Sequence, residues 1–294
     1  MNMLVLVLVR ALTVVLLILA LGGCTAVRLA YNNADTLVRF MASDYVDLEP
    51  PQADEFKARL ARFHGWHRAR ELPVYAAFLT EAGGRLEKGI ADADVAWASA
   101  QLRAHYRRFV TQAVQESAPV LVSLSPAQIA DMEKKLADLN AKFARERHLD
   151  DQGKRLRRNA KQMHKQFDDW LGSLSDAQEK RIDRFVREHD ALSLARFEDR
   201  KRRQREGMAL IRSERDPAAL APRLTELFAD PDAGRATDLR AALARYEMEQ
   251  RRLIVEIDRS ATPEQRETAV RRAARYASDF KVLAAQKPAA ANTP

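Results

Sequence analysis

The chain has 294 residues, of which 31% are charged, 47% apolar and only 7% aromatic, a balance too charged for a membrane-embedded bundle and too apolar for wholesale disorder. Lys and Arg outnumber Asp and Glu by 49 to 41, so the expected partners are anionic: nucleic acid, lipid head groups, lipopolysaccharide phosphates or acidic proteins. Abundant Ala, Arg, Leu, Glu and Lys favour long helices, and the single cysteine, Cys24, excludes an internal disulfide and a multi-thiolate metal site. In chain order, residues 4–21 read LVLVLVRALTVVLLILAL, one cation (Arg10) and then an uncharged apolar run ending in small residues. That is the form of a secretory signal. An uncleaved anchor fits less well, because Arg10 interrupts the roughly 20 apolar residues a span needs.

Leu21-Gly22-Gly23-Cys24 resembles the lipobox of bacterial lipoproteins. The resemblance implies cleavage between Gly23 and Cys24, a diacylglycerol thioether on the Cys24 thiol, and acylation of the new amine, as with palmitate. Several acyl chains anchor a protein stably where one is marginal. Residue 25 is Thr rather than the Asp that retains such proteins at the inner membrane. By the same resemblance the chain belongs on the periplasmic face of the Gram-negative outer membrane, where nucleic acid ceases to be an expected partner. The plan is then a signal peptide at 1–23, a lipidated N-terminus with a first helix at 24–46, a helical periplasmic domain at 47–286 and a disordered tail at 287–294.

After the anchor, Val27, Tyr31, Ala34, Val38, Met41 and Tyr45 alternate spacings of four and three, widened by Leu37 and Phe40, which predicts one core-facing helix. Four short blocks then recur: LEPPQ at 48, LSPAQ at 124, LSDAQ at 174 and ATPEQ at 261. Ser125, Ser175 and Thr262 can each cap a helix, with Gln128, Gln178 and Gln265 reaching back to complete a capping box. Pro126 and Pro263 fall at the first helical position, where a missing N–H costs nothing. Glu49 replaces the hydroxyl in the first block, so its cap is weaker.

Behind the caps the helical period continues through Phe56, Leu60 and Phe63, through Ile129, Met132 and Leu136, and through Ile182, Phe185, His189 and Leu192. Breaks are expected at Pro73, Gly83-Gly84, Pro119, Gly153, Gly172, Asp216-Pro217 and Asp230-Pro231. The sum is an all-α, multi-helix bundle of roughly eight to ten amphipathic helices with no defensible strand.

The blocks resemble the L-T-x-x-Q motif of the Spy and CpxP family, periplasmic helical proteins that act as chaperones or stress sensors. Leu124–Gln128 and Leu174–Gln178 match best, with Ser in place of Thr. The resemblance implies a chaperone-like or scaffold-like cradle, with Gln128 and Gln178 near one another beside an apolar, basic-rimmed concavity. Separately, YNNAD at 31–35 after a lipobox, followed by DYVDL at 44–48, resembles a family of proteobacterial lipoproteins of unknown function along the whole length.

Candidate chemistry is sparse. His64, His67 and Glu71 have a spacing that can share one helical face, but no H-E-x-x-H or second cluster joins them, and they read as helix residues rather than a metal site. His189 reads as a core histidine, and His105, His148 and His164 stand alone. The run 196–206 reads as a solvated, charge-laced helix or, alternatively, an anion-binding face of Arg200, Lys201, Arg202, Arg203 and Arg205. The run 154–165 is the better anion candidate, with Lys154, Arg155, Arg157, Arg158, Lys161 and Lys165 lacking acidic partners. Aromatics that stack on bases are missing from both. No nucleophile elbow, phosphate loop or convergent carboxylate pair is present, so neither an enzyme nor a cofactor is expected. The expected role is non-catalytic binding of envelope proteins or anionic envelope components; the alternative is a structural tether to cell-wall or lipopolysaccharide partners.

Overall fold

The computed structural model describes residues 24–286, with side chains from Val27 onward; the signal segment 1–23 and the tail 287–294 lie outside the described residues. Helices α1 (Cys24–Asn32) and α2 (Ala34–Ser43) lead to α3 (Pro50–Trp66), which runs through a π-helical turn (His67–Glu71) into α4 (Leu72–Glu87). The chain continues as α5 (Asp92–Val122), α6 (Pro126–Glu146), α7 (Gln152–Leu171), α8 (Asp176–Glu188), α9 (Ala191–Ser213), α10 (Pro217–Ala229), α11 (Thr237–Arg259) and α12 (Pro263–Ala285). Among the described residues there is no strand, and the fold is an all-α bundle.

Several boundaries differ from the sequence pattern. The stripe over 27–45 is split at Asn33, whose side-chain amide donates to Leu29 O at 2.7 Å and so competes with the helical ladder. Phe40 turns outward and is 71% exposed, so it lies off the buried stripe. Gly83-Gly84 does not break α4, because Gly83 packs there against Ala273 of α12 and neighbours set its conformation. Pro119 sits inside α5 one turn before its end, and Gly153 lies in the first turn of α7. Pro73 is absorbed differently. The π turn bonds Leu72 N–H back to His67 O, five residues away, and this wider turn admits a following ring that has no N–H to give.

Three apolar clusters hold the bundle. The largest joins α3 (Leu60, Phe63), α5 (Val110, Val114), α6 (Ile129, Met132) and α10 (Leu220, Leu224, Phe228). A smaller one joins Ile182, Phe185 and Val186 of α8 to Leu253 and Ile257 of α11, with Met163 and Phe167 of α7 against it. The third is Tyr31, Leu72 and Leu283. Helices α4 and α12 pack against each other, with Ala76 and Gly83 buried on one and Ala269, Ala273 and Ala277 on the other. Small side chains let the two backbones approach closely.

Candidate functional site

The four block glutamines form two amide pairs. Gln52 and Gln128 exchange Nε2–H···Oε1 bonds of 3.2 and 2.7 Å, and Gln178 and Gln265 exchange bonds of 3.1 and 3.0 Å. Each amide oxygen also accepts the backbone N–H of its own N-cap, Glu49, Ser125, Ser175 or Thr262, at 2.9–3.1 Å. Each amide nitrogen also donates to the carbonyl two residues ahead of its partner's N-cap: Gln52 to Ser123, Gln128 to Asp47, Gln265 to Ser173 and Gln178 to Ser260. The result is a local two-fold stitch, made twice. Ser125, Ser175 and Thr262 accept from the N–H of the glutamine three residues on, at 3.2, 3.4 and 3.2 Å. The Glu49 carboxylate makes no such bond.

The expected neighbours were Gln128 and Gln178, and here the structure differs. Gln128 pairs with Gln52, 76 residues away, and Gln178 with Gln265, 87 residues away. In each half the helices between two blocks run out and return, which brings successive N-termini side by side. Block similarity alone cannot say which two will meet.

The YNNAD block fastens the N-terminal segment across the π turn. Tyr31 OH lies 3.0 Å from His67 Nδ1, Arg68 donates to Asn32 Oδ1 at 2.9 Å, and Asp35 meets His64 Nδ1 at 2.7 Å. Arg28 reaches Asp279 of α12 at 2.8 Å, and Arg68 also donates to Leu283 O. Glu71 is held by both arms of Arg108, at 2.8 and 3.1 Å. His64, His67 and Glu71, the three residues weighed as ligands, therefore face Asp35, Tyr31 and Arg108. Burial, with the charges of His64 and Arg68 behind it, pushes His67 down to about 3, so the imidazole is neutral; burial likewise raises the Tyr31 hydroxyl.

The 154–165 run does not form one open cationic face. Arg155 is buried and bidentate on Asp190, at 2.8 and 2.6 Å. Lys154 pairs with Asp151 and Lys165 with Asp169, while Arg157 and Lys161 are exposed and Arg158 is half-buried. The acidic partners sit just before the helix, one turn along it, or at the start of α9, so the run by itself hides them. In 196–206, Lys201 pairs with Glu198 and Arg202 with Asp199 and Glu206. Arg203 is buried and donates to Leu227, Asp230 and Pro231 carbonyls at the end of α10. This cation closes a helix C-terminus.

A different surface of α7 forms an open trough. Arg155, Asn159, Gln162, Met163, Gln166, Phe167 and Trp170 follow one another at spacings of three and four or in adjacent pairs, a single helical face. Along its first part lies a cleft of about 330 Å³, walled by Arg147, Arg196 and Arg200 with Phe143, Phe197 and Tyr246, and no carboxylate side chain lines it. The Arg147, Arg196 and Arg200 guanidinium carbons stand 5.0, 4.3 and 4.7 Å from the ring centroids of Phe143, Tyr246 and Phe143. Burial and the neighbouring Arg158 hold Arg147 below the usual guanidinium range. Along the second part lies an apolar groove of about 380 Å³ between α4, α5, α7 and α11, with Trp97, Phe167, Trp170, Leu253 and Ile254 on its walls. Arg85, bonded to Asp94 at 2.6 Å, lies 4.1 Å over Trp97. Met163 and Gln166 line both spaces. Sequence reading missed the trough because its walls come from helices far apart in the chain; the signal present was the change along α7 from Arg and amides to Met, Phe and Trp.

Fold and site define an all-α bundle stitched by paired capping boxes. The chain belongs to DUF6279, a family of unknown function, whose profile matches residues 44–240 and so takes in three of the four blocks. No curated protein and no solved structure matches the chain.

Proposed function

We propose that this chain is a lipid-anchored protein of the Gram-negative envelope, attached through Cys24 to the outer membrane with its body in the periplasm, and that it binds rather than catalyses. The lipobox residues and Thr25 support the anchor and the address. The observation that carries the binding role is the groove walled by Trp97 and Trp170, an open apolar surface on a strongly charged chain. Such a surface suits transient capture of apolar segments. The Spy and CpxP resemblance implies Gln128 beside Gln178, whereas these two belong to separate amide pairs, so the chaperone-like or scaffold-like use rests on the groove. A second reading, a tether to wall or lipopolysaccharide partners, is favoured by the arginine-lined cleft.

The test has two arms. Cys24→Ala should leave a full-length precursor that takes up no labelled palmitate; normal processing and fractionation of that variant would remove the anchor. The full chain in nanodiscs should lower light scattering from an unfolding client, and Trp97→Ser with Trp170→Ser should weaken that effect. Suppression indifferent to these substitutions removes the chaperone-like use. A tether shows itself as one dominant crosslinked partner.

A further inference from the structure

We infer that the trough is a site for an anionic amphiphile, with its phosphate or carboxylate head against Arg147 and Arg196 and its chain lying in the groove between Trp97 and Trp170. This deepens the binding role and rests on it, but does not depend on the anchor at Cys24.

Continuity comes first. The cleft and the groove are successive stretches of one face of α7, joined at Met163 and Gln166. From Arg155 to Trp170 that face runs about 22 Å at the helical rise, a length suited to an extended acyl chain. Charge comes second. Of the cations on the cleft, Arg155 is neutralised by Asp190 and His189 meets Glu249 at 2.8 Å. Among the described residues, the side chains of Arg147 and Arg196 make no hydrogen bond or ion pair and rest on Phe143 and Tyr246. Each keeps its fork of donors for a ligand. Glu146 is the acid nearest in effect to Arg147 and Arg158, and it does not line the cleft. Arg158 Nη1, buried close by, also has no partner.

The groove supplies the other half. Phe167, Leu253 and Ile254 offer nothing to a charge, the two tryptophans add broad ring surfaces, and the charged groups on its walls are already paired, Arg85 with Asp94 and Glu81 and Asp258 with Arg266. An inorganic anion leaves the groove unexplained, and an uncharged lipid leaves the arginines unexplained. One molecule carrying both features accounts for both.

The experiment uses the full chain in phosphatidylcholine nanodiscs, with Trp66→Phe so that Trp97 and Trp170 report. Dibromostearate should quench their fluorescence saturably. Arg147→Gln with Arg196→Gln should raise Kd by about tenfold or more through lost charge-assisted hydrogen bonds, without moving the thermal midpoint. A brominated alcohol of the same chain length should bind weaker by a similar factor, and brominated lysophosphatidylglycerol should bind as the carboxylate does. Inorganic phosphate should not displace either. Equal binding of the alcohol, indifference to the arginine substitutions, displacement by phosphate, or no saturable quenching would each overturn the inference. Should Trp66→Phe fail to fold, lipids extracted from the full chain purified from cells decide: an anionic species should be bound and be depleted in the double arginine variant, and its absence overturns the inference. If quenching fails while client suppression persists, the ligand class is wrong and the binding role stands; if both fail, both are withdrawn.

Discussion

Around the Gln52–Gln128 pair, α3, α5, α6 and α10 close on a deep core in which Val110, Met132 and Leu220 are completely buried. Around the Gln178–Gln265 pair, α8 and α11 close on a smaller cluster, Ile182, Phe185, Val186, Leu253 and Ile257, and α7 beside them turns part of its face to an open trough. The stitch has the same geometry in both places, yet its burial is reversed. Gln52 and Gln128 are half-buried above the thick core, whereas Gln178 and Gln265 are buried above the thin one. Where apolar packing is plentiful the amides mainly set register. Where part of the packing surface is left for a ligand, the same amides carry more of the cohesion, because a buried polar group is costly to leave unpaired.

Acid should break the comparison most strongly, from the first half. The unfolded chain binds a proton on His67 below its ordinary value near 6.5, while the folded chain resists until about 3. Stability is therefore full above the ordinary value and lost as pH falls through that window, by about 1.4 kcal/mol per pH unit. Thermal melts between pH 6.5 and 4 should show a steeper loss in the native chain than in His67→Gln, and hydrogen exchange should place the opening at α1 and the π turn. Opening that begins at α7 and α8 would invert the ranking of the halves.

Next in size are the amides. Gln178→Ala strands the buried Gln265 amide, along with the part-buried Ser175 N–H, and should cost about 2–3 kcal/mol in urea unfolding, against about 1 kcal/mol for Gln128→Ala, where water can reach the stranded groups. Equal losses would mean that burial does not distinguish the pairs. Smallest is the missing hydroxyl. Glu49→Ser should add about 0.5–1 kcal/mol by giving α3 the side-chain cap that the other three blocks possess, read as a rise in the urea midpoint.

The local terms were legible. Hydroxyl, Pro and Gln at fixed offsets mark the starts of α6 and α12, and the 3.6-residue period marks Leu60, Ile129, Met132 and Ile182 as core, because both depend on neighbours within one turn. What failed depended on distant chain. Gly83 and Pro119 read as breaks, since nothing nearby shows that packing against α12 and a helix end one turn on would tolerate them. Arg155 read as free because its neutraliser, Asp190, lies 35 residues away. The trough needs α4 through α9 and α11 assembled before it exists, and no window of sequence contains it.

The clamp at the N-terminus has a mechanical consequence. Cys24 already lies in helix α1, Val27 is buried, and four residues later Tyr31 is bonded into the π turn. Under the proposed anchoring the protein has almost no leash. Its working radius is then the size of its own body, so whatever it holds must be taken up or released at the bilayer surface, and lengthening the stretch after Cys24 with a flexible insert should move that zone outward.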